Sequence, residues 1–198
     1  SLGVLFLAVQ FVDILFFPFV LLGIERINIV ENFTQSTHFE LEYMPYTHSL
    51  VGRFVWAALS YAVFGWVIVK QQGVAVVVAL AVFSHWLFDL IMLTPFLPLW
   101  NDASVKLGLG LWNNAVAAYA IEAALLLGAL WLYLRRSSAT TTLGKYGMAV
   151  FVATMLLINL GNVFAPLQSD SKIALAVFAL FAYFLFAAIA FWLDRKRV

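Results

Sequence analysis

An all-α, polytopic bundle of about six membrane-crossing helices is the fold class this sequence predicts, and three observations predict it. Hydrophobic residues make up 65% of the chain and charged residues only 11%, which is more apolar surface than a soluble core of this length can bury. The apolar residues gather into six stretches, each of roughly the 20 residues that cross a hydrocarbon core. No internal repeat or linker separates them, so residues 1–198 read as a single transmembrane domain.

The stretches are 2–24, 47–69, 74–93, 109–134, 146–165 and 173–193. Pro18, between Phe17 and Phe19, predicts a kink in the first helix just past Asp13. Gln71-Gln72-Gly73 reads as a tight turn, and Arg135 to Lys145 as a short basic loop rich in Ser and Thr. The connections 25–46 and 94–108 are long and belong on one side. Lys70, Arg135, Arg136, Lys145, Arg195, Lys196 and Arg197 fall on the opposite side, against Arg26, Arg53, Lys106 and Lys172 with the long loops. The positive-inside rule then expects both ends of this chain in the cytoplasm and both long loops outside. Trp100, Trp112, Trp131 and Trp192 lie near expected helix ends, as interfacial aromatics do. The chain opens Ser1-Leu2-Gly3 inside an apolar helix, with neither methionine nor the basic region of a signal peptide, so a segment before Ser1 is expected.

Composition also narrows function. A formal charge of +1 provides no basic field for nucleic acid, and the expected partners are membrane lipids and other membrane-protein subunits. Without cysteine there is no disulfide, thiolate site or cysteine nucleophile, which leaves His, Asp, Glu, Asn and backbone oxygen to hold a metal.

An ionisable group at helix depth costs at least ~2.5–3.5 kcal/mol on insertion scales, so each needs a partner or a role. Asp13 and Glu122 sit in mid-helix, His48 opens the second helix, and His85 and Asp89 lie four residues apart on the third. That spacing puts the imidazole and the carboxylate on one helix face, the arrangement of a ligand pair. The charge-based topology places His48, His85 and Asp89 in the outer half of the membrane, within reach of Asp13. Two imidazoles with one or two carboxylates suit a divalent ion, zinc or manganese first, with an open position for hydrolytic chemistry. Asp13 and Glu122 are candidates for ligand, general base or a group that orients an imidazole.

Simpler readings stand beside these. His48 also reads as a helix cap, His85 with Asp89 as an intrahelical pair, and the two mid-helix acids as partners of helix-borne amides such as Gln10 or Asn113. Arg53 reads as an interfacial anchor before an anion clamp, and His38 as solvated surface. Ser49 and Ser84 each adjoin a histidine, but neighbours in sequence do not face one another on a helix, so a serine nucleophile ranks below a metal. Axial haem ligation by His48 and His85, or a proton path through the buried acids, is a third class.

The ordered strings Phe6-Leu7-Ala8-Val9-Gln10-Phe11-Val12-Asp13, Leu22-Gly23-Ile24-Glu25-Arg26, Met44-Pro45-Tyr46-Thr47-His48-Ser49-Leu50, Ser84-His85-Trp86-Leu87-Phe88-Asp89-Leu90 and Gly108-Leu109-Gly110-Leu111-Trp112-Asn113 together resemble the YdjM-like group of bacterial membrane-bound metal-dependent hydrolases. The resemblance implies an inner-membrane location, a bound divalent metal and ligands at His48, His85 and Asp89, with Asp13 matching the acid of the first helix. Members of that group carry a further Gly-His segment ahead of this point, which this sequence lacks. Two outcomes follow from the resemblance: a metal-dependent hydrolase opening to the outer face and acting on a lipid or phosphoester, or a non-catalytic accessory subunit that keeps the hydrolase fold.

Overall fold

The computed structural model describes residues 1–197. Its helices are α1 (Leu2–Val9), α2 (Phe11–Leu21), α3 (Leu50–Ala62), α4 (Gln72–Met92), α5 (Ala115–Arg136), α6 (Thr142–Phe164) and α7 (Lys172–Asp194). Five spans are long and apolar enough to cross a membrane, and α1 with α2 makes a sixth that is bent by 45°. The all-α polytopic bundle expected from composition is therefore the architecture observed. α3 continues without a break into a π-helical segment, Val63–Ile68, which completes the second span.

The bend in the first span falls at Gln10, not at Pro18. α2 runs through Pro18, while Gln10 leaves the helix with φ −87° and ψ 4°. A proline kinks a helix by withholding an N–H and crowding the preceding turn, but here the stronger pull lies upstream. The Val9 carbonyl is taken by the His85 imidazole of α4 at 2.7 Å, and a side chain capturing a helix carbonyl is a recognised cause of a break.

α1 packs on α7 and α4, α2 on α7, α3 on α4, α6 on α7 and α5 on α6. α1 and α2 thus occupy the middle, with the α5–α6 hairpin at one flank. Close approach needs small residues: a Cβ on Gly3 would lie 2.5 Å from Phe191 Cβ.

The long loops hold structure that the sequence reading leaves as loop. Residues 25–46 carry an antiparallel pair, β1 (Arg26–Ile29) and β2 (Phe39–Tyr43), in which buried Ile27 faces buried Leu41. Residues 94–108 carry the short pair β3 (Leu97–Pro98) and β4 (Lys106–Leu107). Both gather at one end of the bundle, tied by Ser36 N–H to the Trp112 carbonyl at 3.1 Å and Val51 N–H to the Leu99 carbonyl at 3.0 Å. His38 belongs to this layer and is not the solvated surface residue expected. Its Nδ1 accepts from Asn32 N–H at 2.9 Å and its Nε2 bonds the Ala165 carbonyl at 3.0 Å, clasping the β1–β2 loop to the end of α6. Beneath the layer, Phe16, Phe17, Ile27, Leu41, Met44, Trp86, Leu93 and Leu97 form one apolar cluster.

The turn that carries His48 rests on the first turn of α3. Ser49 caps that helix, its hydroxyl accepting from Gly52 N–H at 2.9 Å, and a Cβ on Gly52 would fall 2.6 Å from the Tyr46 carbonyl oxygen. Gly52→Ala is therefore expected to push the 45–49 turn off the helix and cost about 1–3 kcal/mol, as overpacking does, read as a lower unfolding midpoint in detergent.

Candidate metal centre

Under the loop layer, one side chain from α2, one from the turn before α3 and one from α4 converge. A single ligand atom from each of Asp13, His48 and His85 lies within 4.8 Å of the other two. His48 Nε2 is 3.2 Å from Asp13 Oδ1, and His85 Nε2 is 3.5 Å from Asp13 Oδ2. Asp13 thus meets both imidazoles, the approach expected from its depth in the sequence. The side chain of His48 is almost closed off, at 4% exposure, while His85 and Asp13 keep 12% and 18%. Phe16 packs edge-on against His48 with ring centroids 5.0 Å apart, so the centre is apolar-walled and its charges interact strongly.

Asp89, the other ligand expected from the sequence, is not one of the grouped three but borders them, because Arg53 draws its carboxylate aside. Its Oδ1 is 3.3 Å from His85 Nε2, and its Oδ2 accepts from Arg53 Nη2 at 2.8 Å. Arg53 is no interfacial anchor: it is 0% exposed, within the core. The reason is Asp89, which needs a cation at this depth. Arg53 Nε and Nη1 have no hydrogen-bond partner among the described residues.

Glu122 is not brought to the centre. It lies on α5, which packs against α6, and it accepts from Asn159 Nδ2 of α6 at 2.5 Å. The amide partner is Asn159, not Asn113. Both serines are also accounted for, Ser49 as the α3 cap and Ser84 donating to the Ala81 carbonyl at 2.8 Å.

Several groups at the centre escape a reading by sequence. Glu25, fully buried between α2 and β1, accepts from Tyr46 N–H at 2.9 Å, Thr47 N–H at 3.0 Å and the Thr47 hydroxyl at 2.6 Å. Thr47 Oγ1 in turn lies 2.7 Å from His48 Nδ1. From α7, the Tyr183 hydroxyl donates to Asp13 Oδ2 at 3.3 Å. Tyr183 carries no local signal, one aromatic among many in the run 178–186. Glu25 did carry one, as an acid between an apolar helix and a turn, but without a visible partner it reads as loop.

No family model, curated protein or solved structure matches this chain.

Removing one member of a buried ion pair strands the other, at a cost of about 3–5 kcal/mol. Arg53→Met should destabilise the protein by that order in denaturant unfolding in micelles. Adding Asp89→Asn to the same chain should return most of the loss, because the stranded charge is then gone.

Proposed function

We propose that this chain is a membrane-embedded, divalent-metal-dependent hydrolase whose ligands are Asp13, His48 and His85. One observation carries the reading: the spacing of the three ligand atoms. Zinc bonds to nitrogen and oxygen of ~2.0–2.2 Å, set at tetrahedral angles, place neighbouring ligand atoms about 3.3–3.6 Å apart. His48 Nε2 lies 3.2 Å from Asp13 Oδ1 and His85 Nε2 3.5 Å from Oδ2, one carboxylate oxygen turned to each ring, and one ligand atom from each of the three residues lies within 4.8 Å of the other two.

Charge balance supports the same reading. Counted in their ordinary ionised forms, Asp13, Asp89 and Glu25 carry three negative charges and Arg53 one positive, all within the closed core. The net of two negatives matches a divalent cation, and three protein ligands leave a position open. The Asp13 carboxylate also lies between the two imidazole nitrogens, in the space a porphyrin would need, which argues against haem.

When bound, the ion supplies Lewis acidity, lowering the pKa of a water and polarising a phosphoryl or acyl oxygen. Around it, Arg53 pins one Asp89 oxygen and holds the other 3.3 Å from His85 Nε2, at the edge of the ligand set, where it would take up a proton. Tyr183 holds a phenolic proton at the edge of Asp13, placed to meet an oxygen of the substrate.

The substrate class we infer is a lipid or phosphoester reached from the outer face of a bacterial inner membrane. The centre lies near the end of the bundle that bears both long loops. Burial of Arg53 removes it from the charge count, leaving Arg26, Lys106 and Lys172 at that end against seven basic residues at the other, and so strengthens the orientation with both ends of the chain in the cytoplasm.

Elemental analysis of the purified protein beside His85→Ala and Asp13→Asn tests the proposal. Near-stoichiometric zinc or manganese that disappears in both variants is expected, with hydrolysis of a phosphoester panel lost in step. Tyr183→Phe should keep the metal and lose turnover. Absence of metal from the unaltered protein would sink the hydrolase and favour the accessory subunit.

A further inference from the structure

Each of the two imidazoles has two neutral tautomers, and a centre forms only if both show an unprotonated nitrogen inward. For His85 the choice is made by backbone: Nδ1 lies 2.7 Å from the Val9 carbonyl, which can only accept, so Nδ1 carries a proton and the neutral ring has its lone pair on Nε2. Nothing so simple serves His48, whose Nδ1 meets a hydroxyl that can donate or accept. We infer that Glu25, acting through Thr47, is the positioning residue that sets His48 as its Nδ1–H tautomer and turns the Nε2 lone pair toward Asp13. The inference rests on the metal-centre reading, because Nε2 lies 3.2 Å from Asp13 Oδ1 and turns a lone pair to that carboxylate only with a cation between them.

On the Nδ1 side of His48 the observations form a chain of single options, while on the other side Nε2 meets Asp13 Oδ1 at 3.2 Å, where a bound cation takes the place of a proton. Gly23, at φ +73°, ends the first span, and the N–H groups of Ile24 and Glu25 both bond the Phe19 carbonyl, at 2.8 and 3.2 Å. That turn folds Glu25 back into the core, where it is 0% exposed. Two backbone N–H groups, of Tyr46 and Thr47, hold its Oε1, which orients the carboxylate and leaves Oε2 for the Thr47 hydroxyl. A hydroxyl has one proton to give. With that proton on Glu25, Thr47 Oγ1 can only accept from His48, so the imidazole proton resides on Nδ1. The arrangement is a carboxylate orienting a metal-binding histidine, lengthened by one hydroxyl.

Glu25→Gln should invert this relay. The two backbone N–H groups would keep the amide oxygen where Oε1 sits, which places the amide NH₂ against Thr47 Oγ1. The hydroxyl would then accept from Gln and donate to His48 Nδ1, sending the imidazole proton to Nε2, into the centre. Thr47→Val removes the relay altogether, whereas Thr47→Ser preserves it.

The test is ¹⁵N NMR of the histidine side chains at alkaline pH in detergent-solubilised protein supplied with zinc, paired with zinc affinity from chelator competition. The His48 signals are identified by their loss in His48→Gln. Expected are an Nδ1–H tautomer in the unaltered protein and in Thr47→Ser, an Nε2–H tautomer in Glu25→Gln, and a mixture in Thr47→Val. Zinc affinity should fall about 10–100-fold in Glu25→Gln, the usual scale for losing a group that orients a ligand. An Nε2–H tautomer in the unaltered protein, or one indifferent to both Glu25→Gln and Thr47→Val, overturns the inference. Should Glu25→Gln fail to fold, the contrast between Thr47→Ser and Thr47→Val decides alone. No affinity for zinc in the unaltered protein would refute the metal-centre reading, and there a proton on His48 Nδ1 that is kept in Thr47→Ser and lost in Glu25→Gln and Thr47→Val would still support the relay.

Discussion

A carboxylate at hydrocarbon depth has no water to turn to, so its charge must be met inside the protein. Asp13 makes that demand in the middle of the first span, and much of the structure is arranged to answer it. His48 arrives from the turn before α3, His85 from α4 and Tyr183 from α7. Three elements far apart in sequence are thereby committed to one point, and α1 with α2 becomes the middle of the bundle.

Bringing His85 in has a backbone consequence. Its Nδ1 binds the Val9 carbonyl, which an unbroken helix would spend on the N–H of Asp13 four residues on. The first span therefore bends at Gln10. Non-helical backbone at membrane depth is tolerated where protein encloses it and supplies the missing partner, and here the partner is an imidazole of the centre. The break and the site are one feature seen twice.

The fold class and the number of spans were legible because they follow from apolar length alone, which depends on no partner. The residue types of the centre were legible for a related reason: His and Asp in an apolar stretch carry an insertion cost, so Asp13, His85 and Asp89 stand out locally. What the sequence conceals is pairing. Arg53 looks like an anchor until Asp89, on another helix, is seen beside it. Glu122 looks as eligible as Asp13 until α5 is found packed mainly against α6, with Glu122 held by Asn159. Glu25 and Tyr183 matter through contacts with residues 22 and 170 positions away, and β1 and β2 pair through a register that short polar strands do not announce.

Two acids at the centre carry similar chemistry and different surroundings, and the difference separates their roles. Asp89 is anchored by a guanidinium that is wholly buried, so one of its oxygens is committed and the carboxylate cannot rotate freely. Asp13 has no fixed cation: its neighbours are two imidazole nitrogens and a phenol. Both imidazole nitrogens face it as acceptors when their protons sit on Nδ1, and an acceptor facing a carboxylate is repelled unless a positive charge lies between them. The protein has thus supplied a guanidinium for one acid and withheld it from the other. Asp13 is left with the imidazoles and the phenol as its neighbours, while Asp89 has its charge met by Arg53.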